Sequence, residues 1–567
     1  MEKRLLLAVV LMTAAIMFTN LLFPAPAPGP APAPVEPPAT PEVATEAPAP
    51  PTLETSRPTI GIPDRAVAAD SVVVTSDLYT FVLSSRGATV QKAFLTEYSS
   101  YHDPEGVVQL VPEGAAFLES RLVIGSDTVD LSGLPFEVST SHLPVTEEGG
   151  PASVDFRYQA ESGIGVGIRY TFQPGTYVVL VEGIVEGAGG RPTQVLTSLG
   201  PRLEMHEHPD HNSENEFAVV TRTSSGGVDR RPLRSIEGQE VVGPGVTWAG
   251  IKDKYFLAAM IAGEERPFER SIAQELPPVT VAENGETIEA PEVRLTAVAP
   301  TAGDGGFAYS AYFGPQEFER LSAIGYEVED VTPYGYRWLQ PVIRPLAAAV
   351  LWVLNTLHNT LGVAYGWVLV VFGVMMRILL WPLNAKAMRA QMKNMGVQPL
   401  LQELREKYKN DPQKQQEAMV ALYKEHGFNP FAGCVPMLVP FPVLITLFFV
   451  FQNTIAFRGA GFLWLPDLSL RDPLYVLPLI LVVSMFGLQW VSAHLSGMEQ
   501  NPQMKMMMYF MPVMMGAIFF MLPAGLNLYY AVTQVASIPQ QVLIAKERRK
   551  AQEEVKAKGP KKKKAGR

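Results

Sequence analysis

Several features are scarce or absent in this chain of 567 residues. Its single cysteine, Cys434, excludes an intramolecular disulfide framework. There is no GxxxxGKS or GxxxxGKT loop, so the usual route to ATP-driven work is missing. The histidine-rich segment MHEHPDHNSENE lacks the spacing of a metal site, and we interpret it as a polar loop. No pair of carboxylates stands in a readable catalytic context. We therefore predict no metal, no cofactor and no enzymatic activity.

Charged residues are almost missing from long stretches of the C-terminal half. Between Arg344 and Lys386 only Arg377 is charged, and the forty residues from Met506 to Ala545 contain no charge at all. A transmembrane helix needs about 20 apolar residues, so the second stretch is long enough for two, divided at Pro523. These and similar runs with few or no charges predict transmembrane helices at 362–383, 429–457, 473–498, 505–522 and 525–545.

The N-terminal half has three different patterns. Lys3 and Arg4 precede an apolar run, and we predict a retained membrane anchor at 1–23 whose start stays in the cytoplasm. Residues 24–58 are rich in proline and predict an extended linker. From 59 to 325, β-branched and aromatic residues alternate with polar ones between Gly, Pro and Asp turns. This period of two predicts a large exported all-β sandwich.

The distribution of charge predicts which segments face the cytoplasm. The net charge is -10, yet lysine and arginine crowd the segments 384–428 and 546–567. Positive loops stay inside, so we predict a cytoplasmic helical hairpin at 384–428 and a basic cytoplasmic tail at 546–567. Residues 334–361 combine arginines with tryptophans and predict an amphipathic helix at the outer membrane interface, unless they are the lead-in of a longer span. The fold class is thus a polytopic α-helical membrane protein of six transmembrane helices with an exported β-domain.

Arg377 is the one cation inside a predicted transmembrane helix. It stands six residues before Leu383, and burying a guanidinium in such a helix costs roughly 2.5–3.5 kcal/mol. One interpretation is that its long side chain extends to the nearby interface. We favour the other, in which Arg377 faces a water-filled cavity and attracts an anionic group.

Several stretches resemble one family. They are FGVMMRILLWPLNAKAM around Arg377, ALYKEHGFNPFAGCVPMLVPFPVLITLFF, DPLYVLPLILVVSMFGLQ, MPVMMGAIFFMLPAGLNLYYAVTQVASIPQQ and YFGPQEFERLSAIG. Together they are similar to the bacterial YidC membrane protein insertases, relatives of the Oxa and Alb proteins, in their Gram-negative form. The resemblance covers most of the chain and leaves out the proline-rich linker and parts of the β-domain.

The resemblance implies an insertase and chaperone of the bacterial inner membrane, with both termini in the cytoplasm. It implies a groove, open to cytoplasm and lipid, that accepts the polar flank of a nascent membrane protein while its hydrophobic segment passes into lipid. The cation on the groove wall would be Arg377. Candidate groove-lining residues are Tyr529, Tyr530, Asn527, Gln534, Gln489 and Gln452, although hydrogen bonds between helices are an equal explanation for the amides. Candidate residues of an apolar surface along which substrates slide are Met508, Met511, Met515 and Phe448.

The expected partners are nascent membrane proteins, the Sec translocon, a ribosome bound through the basic tail and hairpin, and anionic phospholipid. Two other classes of function stay open. One is a small-solute transporter or channel with an exported sensor domain, although no repeated half is visible. The other is carbohydrate binding or sugar chemistry in the β-domain.

Overall fold

A computed structural model describes residues 70–103, 106–208, 216–283, 286–332, 339–382, 385, 404, 407–408, 411–425, 441–496 and 502–557. The predicted anchor and linker lie outside the described residues, as do most of the predicted hairpin and the end of the basic tail. All the elements described below belong to one compact unit of the chain.

The N-terminal part of the described chain is built almost entirely of strands. Alternation of buried and exposed residues is visible in many of them, as expected where one face of a sheet packs on a core. The strands are β1 Ser71–Thr75, β2 Tyr79–Ser84, β3 Thr89–Ser99, β4 Val107–Gln109, β5 Glu119–Ile124, β6 Asp127–Asp130, β7 Glu137–Val138, β8 His142–Pro144, β9 Ala152–Gln159, β10 Gly165–Phe172, β11 Val178–Glu186, β12 Thr193–Leu199, β13 Ala218–Thr223, β14 Val228–Pro232, β15 Gln239–Val242, β16 Val246–Lys252, β17 Phe256–Ile261, β18 Arg270–Glu283, β19 Glu286–Pro300 and β20 Gly306–Pro315.

These strands form three sheets around a shared core. One sheet has the order β4-β3-β2-β1-β8, the second β14-β13-β16-β17-β20-β11-β10-β9-β7, and the third β15-β18-β19-β12-β5-β6. Pairing is antiparallel throughout the described strands except between β1 and β8. One large cluster of buried residues, including Phe81, Phe172 and Trp248, contains residues of all three sheets, and a small second cluster of Leu196, Ile272 and Val298 lies within the third sheet. The described β-region is therefore one domain with one main hydrophobic core.

Helices make up the rest of the described chain. They are α1 Phe318–Ile324, α2 Gln340–Leu361, α3 Tyr365–Leu379, α4 Pro412–Glu425, α5 Phe441–Asn453, α6 Val476–Ser496, α7 Pro502–Phe519 and α8 Ala524–Ala557. Helix α2 ends at Gly362, which has the left-handed φ of 61° that glycine tolerates best. Helix α8 continues from the apolar run into the basic tail without interruption.

Length and hydropathy separate these helices. Within the part of the chain that the structure describes, one helix, Gln340–Leu361, is long and apolar enough to cross a membrane. Tyr365–Leu379, Pro442–Asn453 and Val476–Trp490 are shorter apolar helices. Helix α2 is the segment for which the sequence predicts an interfacial helix, and Trp352 on it is 64% exposed. The predicted count of six crossings thus stays a prediction.

The apolar helices pack into a bundle with its own core. Helix α3 lies against α8, α8 also contacts α6, and α5 lies against α2. Phe372, Phe451 and Tyr529 meet at the centre with ring centroids 5.4–6.2 Å apart. At Gly373 the two helices α3 and α8 come close, because a side chain there would meet Val532. Small residues permit such close helix packing.

The β-domain and the bundle are joined by polar contacts on two sides. Arg344 on α2 pairs with Asp330 near the end of the β-domain, and Asn355 Nδ2 donates to Glu319 Oε1 over 3.1 Å. The loop between α5 and α6 contacts the β-domain through a hydrogen bond from Tyr101 to Asp467. This second contact includes part of the histidine-rich segment. The described part of that segment has no regular secondary structure, but Glu207 is only 2% exposed, because Arg458 of the loop between α5 and α6 pairs with it.

Candidate functional site

Arg377 lies in the last turn of α3, on the face that packs against α8. Leu369 and Gly373 precede it by two turns and one turn of the helix and are both buried, and residues four apart share a helix face. This spacing directs Arg377 toward the bundle. Its side chain is half-buried there.

Gln540 on α8 is the hydrogen-bond partner of Arg377. Arg377 Nη2 donates to Gln540 Oε1 over 2.8 Å. The amide nitrogen of Gln540 donates in turn to the carbonyl oxygen of Trp381, over 3.1 Å. Trp381 lies two residues beyond Leu379, the last residue of α3. Gln540 is fully buried and so ties the guanidinium and the end of α3 to α8.

The charge of Arg377 is not neutralised by any carboxylate in the described parts of the chain. Its partner is a neutral amide, and its buried Nε atom makes no hydrogen bond to a described residue. Tyr529 packs against Phe372, which stands five residues before Arg377 on the same helix. A guanidinium has five N–H donors, so this site combines a full positive charge with unused donors. Chemically, it can attract and bind an anionic group.

Tyr529 and Tyr530 lie two turns or more before Gln540 on the same helix. Tyr529 is 4% exposed and packs against Phe372 and Phe451, whereas Tyr530 is half-buried with its ring 5.6 Å from that of Phe519. Tyr529 therefore packs against α3, the helix that carries Arg377.

Asn527 is fully buried at the start of α8. Its Nδ2 atom donates to the carbonyl oxygens of Phe519 and Leu522, over 2.9 and 3.3 Å. These carbonyls end α7 and form the turn between the two helices. The geometry is that of a helix-to-helix link, which the sequence leaves open as an alternative to groove lining.

The remaining predicted residues are spread over three helices. Gln534, Gln489 and Gln452 are half-buried on α8, α6 and α5, and none of them is hydrogen-bonded to Arg377. Phe448 and Met515 are partly buried against the core of the bundle. The side chains of Met508 and Met511 lie outside the described residues. The sliding surface stays a prediction.

Gln540 is the residue that the sequence analysis missed. A signal for it exists: Arg377 stands six residues before the predicted inner end of its helix, and Gln540 stands five residues before Ala545. Two helices that run in the same direction place such residues at the same depth. Equal depth along two helices that run in the same direction therefore predicts that Arg377 and Gln540 are neighbours.

Comparisons with known proteins agree with this architecture. Residues 356–552 match the family model of the 60Kd inner membrane protein, and residues 71–349 match that of the YidC periplasmic domain. A relative from Citrifermentans bemidjiense named membrane protein insertase YidC is 30% identical over 566 residues, covering 96% of this chain and 99% of the relative. Another of that name, from Chlorobaculum parvum, is 28% identical and covers 89% and 87%. A solved structure of an active YidC insertase is 17% identical, with a TM-score of 0.32, and covers 86% of this chain and 95% of that one.

The periplasmic β-domain and the apolar helices define a membrane protein of the bacterial inner membrane. More particularly, the chain belongs to the YidC family of membrane protein insertases. Its function is to insert membrane proteins. The relatives are named insertases, not enzymes, and nascent membrane proteins are the substrates that this role implies.

Proposed function

We propose that this insertase draws the polar flank of a nascent membrane protein into a hydrophilic groove open to the cytoplasm, with Arg377 on its wall. The hydrophobic segment of the substrate then leaves sideways into lipid past the spans at 429–457 and 505–522. The proposal includes six transmembrane helices with both termini in the cytoplasm. The observation that carries it is the hydrogen bond from Arg377 to the neutral side chain of Gln540.

The physical argument starts from the cost of a charge among apolar helices. An arginine that bound an internal carboxylate would have a structural role and no net charge to offer. Arg377 instead bonds to the buried amide of Gln540, and no carboxylate of the described residues pairs with it. In such surroundings, two opposite charges 4 Å apart attract by about 4 kcal/mol at an effective dielectric constant of 20. Part of this attraction would stabilise an acidic residue of the substrate flank in the groove. It would offset part of the free energy that is needed to remove the carboxylate from water.

The polar residues on neighbouring helices have a secondary role in this proposal. Tyr530, Gln534, Gln452 and Gln489 are half-buried, and each could hydrogen-bond a passing chain in place of water. None carries a charge, so they would ease passage without selecting acidic flanks. Phe448, Met508, Met511 and Met515 would form the apolar surface on which the hydrophobic segment moves.

The cytoplasmic segments suggest the other partners. Residues 546–567 contain eleven lysines and arginines, among them Lys561 to Lys564. Phosphate groups of ribosomal RNA or of anionic lipid are the natural counter-charges for such a tail. We propose that the tail and the hairpin at 384–428 hold the ribosome near the groove, and that the protein works alone or beside the Sec translocon.

The test is insertion into reconstituted vesicles. Two substrates share one hydrophobic segment and differ only in whether the translocated flank is acidic or neutral. We expect Arg377→Ala to slow insertion of the acidic substrate about tenfold, the equivalent of roughly 1.4 kcal/mol, and to leave the neutral one nearly unchanged. Arg377→Lys should preserve most of the activity, since it keeps the charge.

The matched control is Arg471→Ala, which removes an exposed arginine from the loop between α5 and α6. It should insert both substrates at the normal rate. If Arg377→Ala inserts the acidic substrate as fast as the unmodified protein, the proposed role of the charge is excluded.

A further inference from the structure

Gln540 makes two hydrogen bonds, one to Arg377 on α3 and one to Trp381, two residues beyond the end of that helix. Its oxygen accepts from Arg377 Nη2 and its nitrogen donates to the Trp381 carbonyl. An amide is the side chain that can accept and donate at once without carrying a charge. Gln540 is also fully buried, so a change in its hydrogen bonding is not compensated by bulk water.

The two bonds restrict the guanidinium. An arginine side chain has many rotamers and loses entropy when it is fixed. Trp381 stands four residues after Arg377 and two beyond the end of α3, so the carbonyl that orients Gln540 belongs to the segment that follows the helix. Arg377, Trp381 and Gln540 therefore form a closed link between α3 and α8, in which the position of the amide sets that of the guanidinium.

A neutral hydrogen-bond partner leaves the positive charge of Arg377 uncompensated, whereas a carboxylate partner would neutralise it. A glutamate at position 540 would accept the same hydrogen bond and would also cancel the charge. The glutamine occupies one donor of Arg377, while the Nε atom has no acceptor among the described residues. Among the described residues, the geometry thus combines a hydrogen-bonded guanidinium with a charge that no carboxylate cancels.

We propose that Gln540 is a positioning residue of the insertase: it holds Arg377 in place and keeps its charge available to the carboxylates of the substrate flank. This inference rests on the proposed function of Arg377. A purely structural link between α3 and α8 would stabilise the bundle equally for every substrate. A positioning role affects substrates according to their charge.

The decisive variant is Gln540→Glu in the full-length protein, tested with the acidic and the neutral substrate in vesicles. We expect the acidic-to-neutral ratio of insertion rates to fall about tenfold, as in Arg377→Ala, since a close carboxylate neutralises the guanidinium. Gln540→Met, which keeps the length of the side chain and loses both hydrogen bonds, should lower the ratio by a smaller factor. Gln541→Glu is the matched control, because the Nε2 atom of Gln541 is bonded to Ser537 Oγ and not to Arg377.

The double variant Arg377→Ala/Gln540→Glu separates the two roles. With the charge already removed, the glutamate should cause no further loss in the ratio, so the two effects should not add. A fall in both substrates by the same factor in Gln540→Glu and Gln540→Met would overturn the inference and leave a structural link. The inference would also be overturned if Gln540→Glu had a normal acidic-to-neutral ratio of insertion rates while Arg377→Ala had a lower one. If Arg377→Ala itself leaves the ratio unchanged, the proposed function fails first.

Discussion

Arg458 and Glu207 form an ion pair between the loop that follows α5 and the β-domain, with Arg458 Nε 2.8 Å from Glu207 Oε1. The side chains are only 3% and 2% exposed. Arg458 also donates from Nη1 to the carbonyl oxygen of Ser99 over 2.8 Å, and its guanidinium lies over the rings of Tyr101 and Phe256. A buried charge with this many partners fixes the loop to the β-domain.

Loss of either partner should loosen this contact. Arg458→Met leaves Glu207 buried without its counter-charge, which in proteins costs about 3–5 kcal/mol. We expect faster amide hydrogen exchange in residues 454–472 and in the neighbouring strand β3. Arg471→Met, an exposed arginine in the same loop, is the control. Exchange in Arg458→Met no faster than in this control would show that the ion pair does not hold the loop.

Gly366 at the start of α3 lies in close contact with Phe462 of the same loop, and this contact predicts a second effect on the stability of the loop. A Cβ atom there would overlap the ring of Phe462, which packs edge-on against Trp367. Gly366→Ala should therefore destabilise the loop by about 1–3 kcal/mol through overpacking. Gly487→Ala in α6 is the matched control, because nothing lies within 4 Å of its Cβ position, and alanine there should add about 0.5–1 kcal/mol of helix stability. In thermal unfolding in detergent, Gly366→Ala should lower the melting temperature and Gly487→Ala should raise it. Equal shifts would contradict the close contact.

The sequence predicts local structure better than it predicts contacts. Alternating residues reveal strands such as β10 Gly165–Phe172, where one face is buried. In β16 and β17 every residue is buried, so alternation is lost and a strand cannot be distinguished from a buried helix by period alone. The order of strands in the three sheets depends on pairs such as β11 with β20, which lie far apart in the chain. No local pattern encodes such pairings.

The site shows the same limit. Arg377 is recognisable because a charge in an apolar run is costly. Gln540 was within reach of an argument from depth, whereas the pair of Arg458 and Glu207 was not. These two residues are separated by 251 positions, and each stands in a segment that reads as a polar loop. Their burial results from the packing of the loop on the β-domain, which the sequence of neither segment indicates.

Asn527 should contribute to stability and not to substrate selection. Its amide holds the carbonyls of Phe519 and Leu522 at the turn between α7 and α8. Asn527→Ala leaves these oxygens without that donor, at a cost of about 1–3 kcal/mol. We expect a lower melting temperature and an unchanged acidic-to-neutral ratio of insertion rates. Asn453→Ala, a half-buried amide at the end of α5, is the control for thermal stability. A selective loss of the acidic substrate would instead place Asn527 in the path of the substrate.

Lys252 gives the β-domain a pH-dependent stability. It is 1% exposed at the end of β16, and burial, together with the positive charge of Arg230, lowers its pKa to about 7. Burial also raises the pKa of its neighbour Asp253 to about 7. Between pH 7 and the ordinary lysine pKa of 10.5, the unfolded chain binds a proton that the folded chain does not. Below pH 7 the burial of charged Lys252 therefore lowers the free energy of unfolding by its full amount. This loss decreases as the pH rises from 7 and disappears near 10.5.

Replacing Lys252 by methionine should remove this cost. We expect Lys252→Met to slow hydrogen exchange of the amides in β16 and β17 at pH 7 by an amount equivalent to a few kcal/mol, since one pKa unit corresponds to roughly 1.4 kcal/mol. The advantage over the unmodified protein should shrink as the pH approaches 10. Comparing the two proteins at each pH cancels the intrinsic pH dependence of exchange. Lys92→Met, at an exposed position of β3, should show no such trend. An advantage of Lys252→Met that is constant from pH 7 to 10 would mean that Lys252 stays charged in the folded protein.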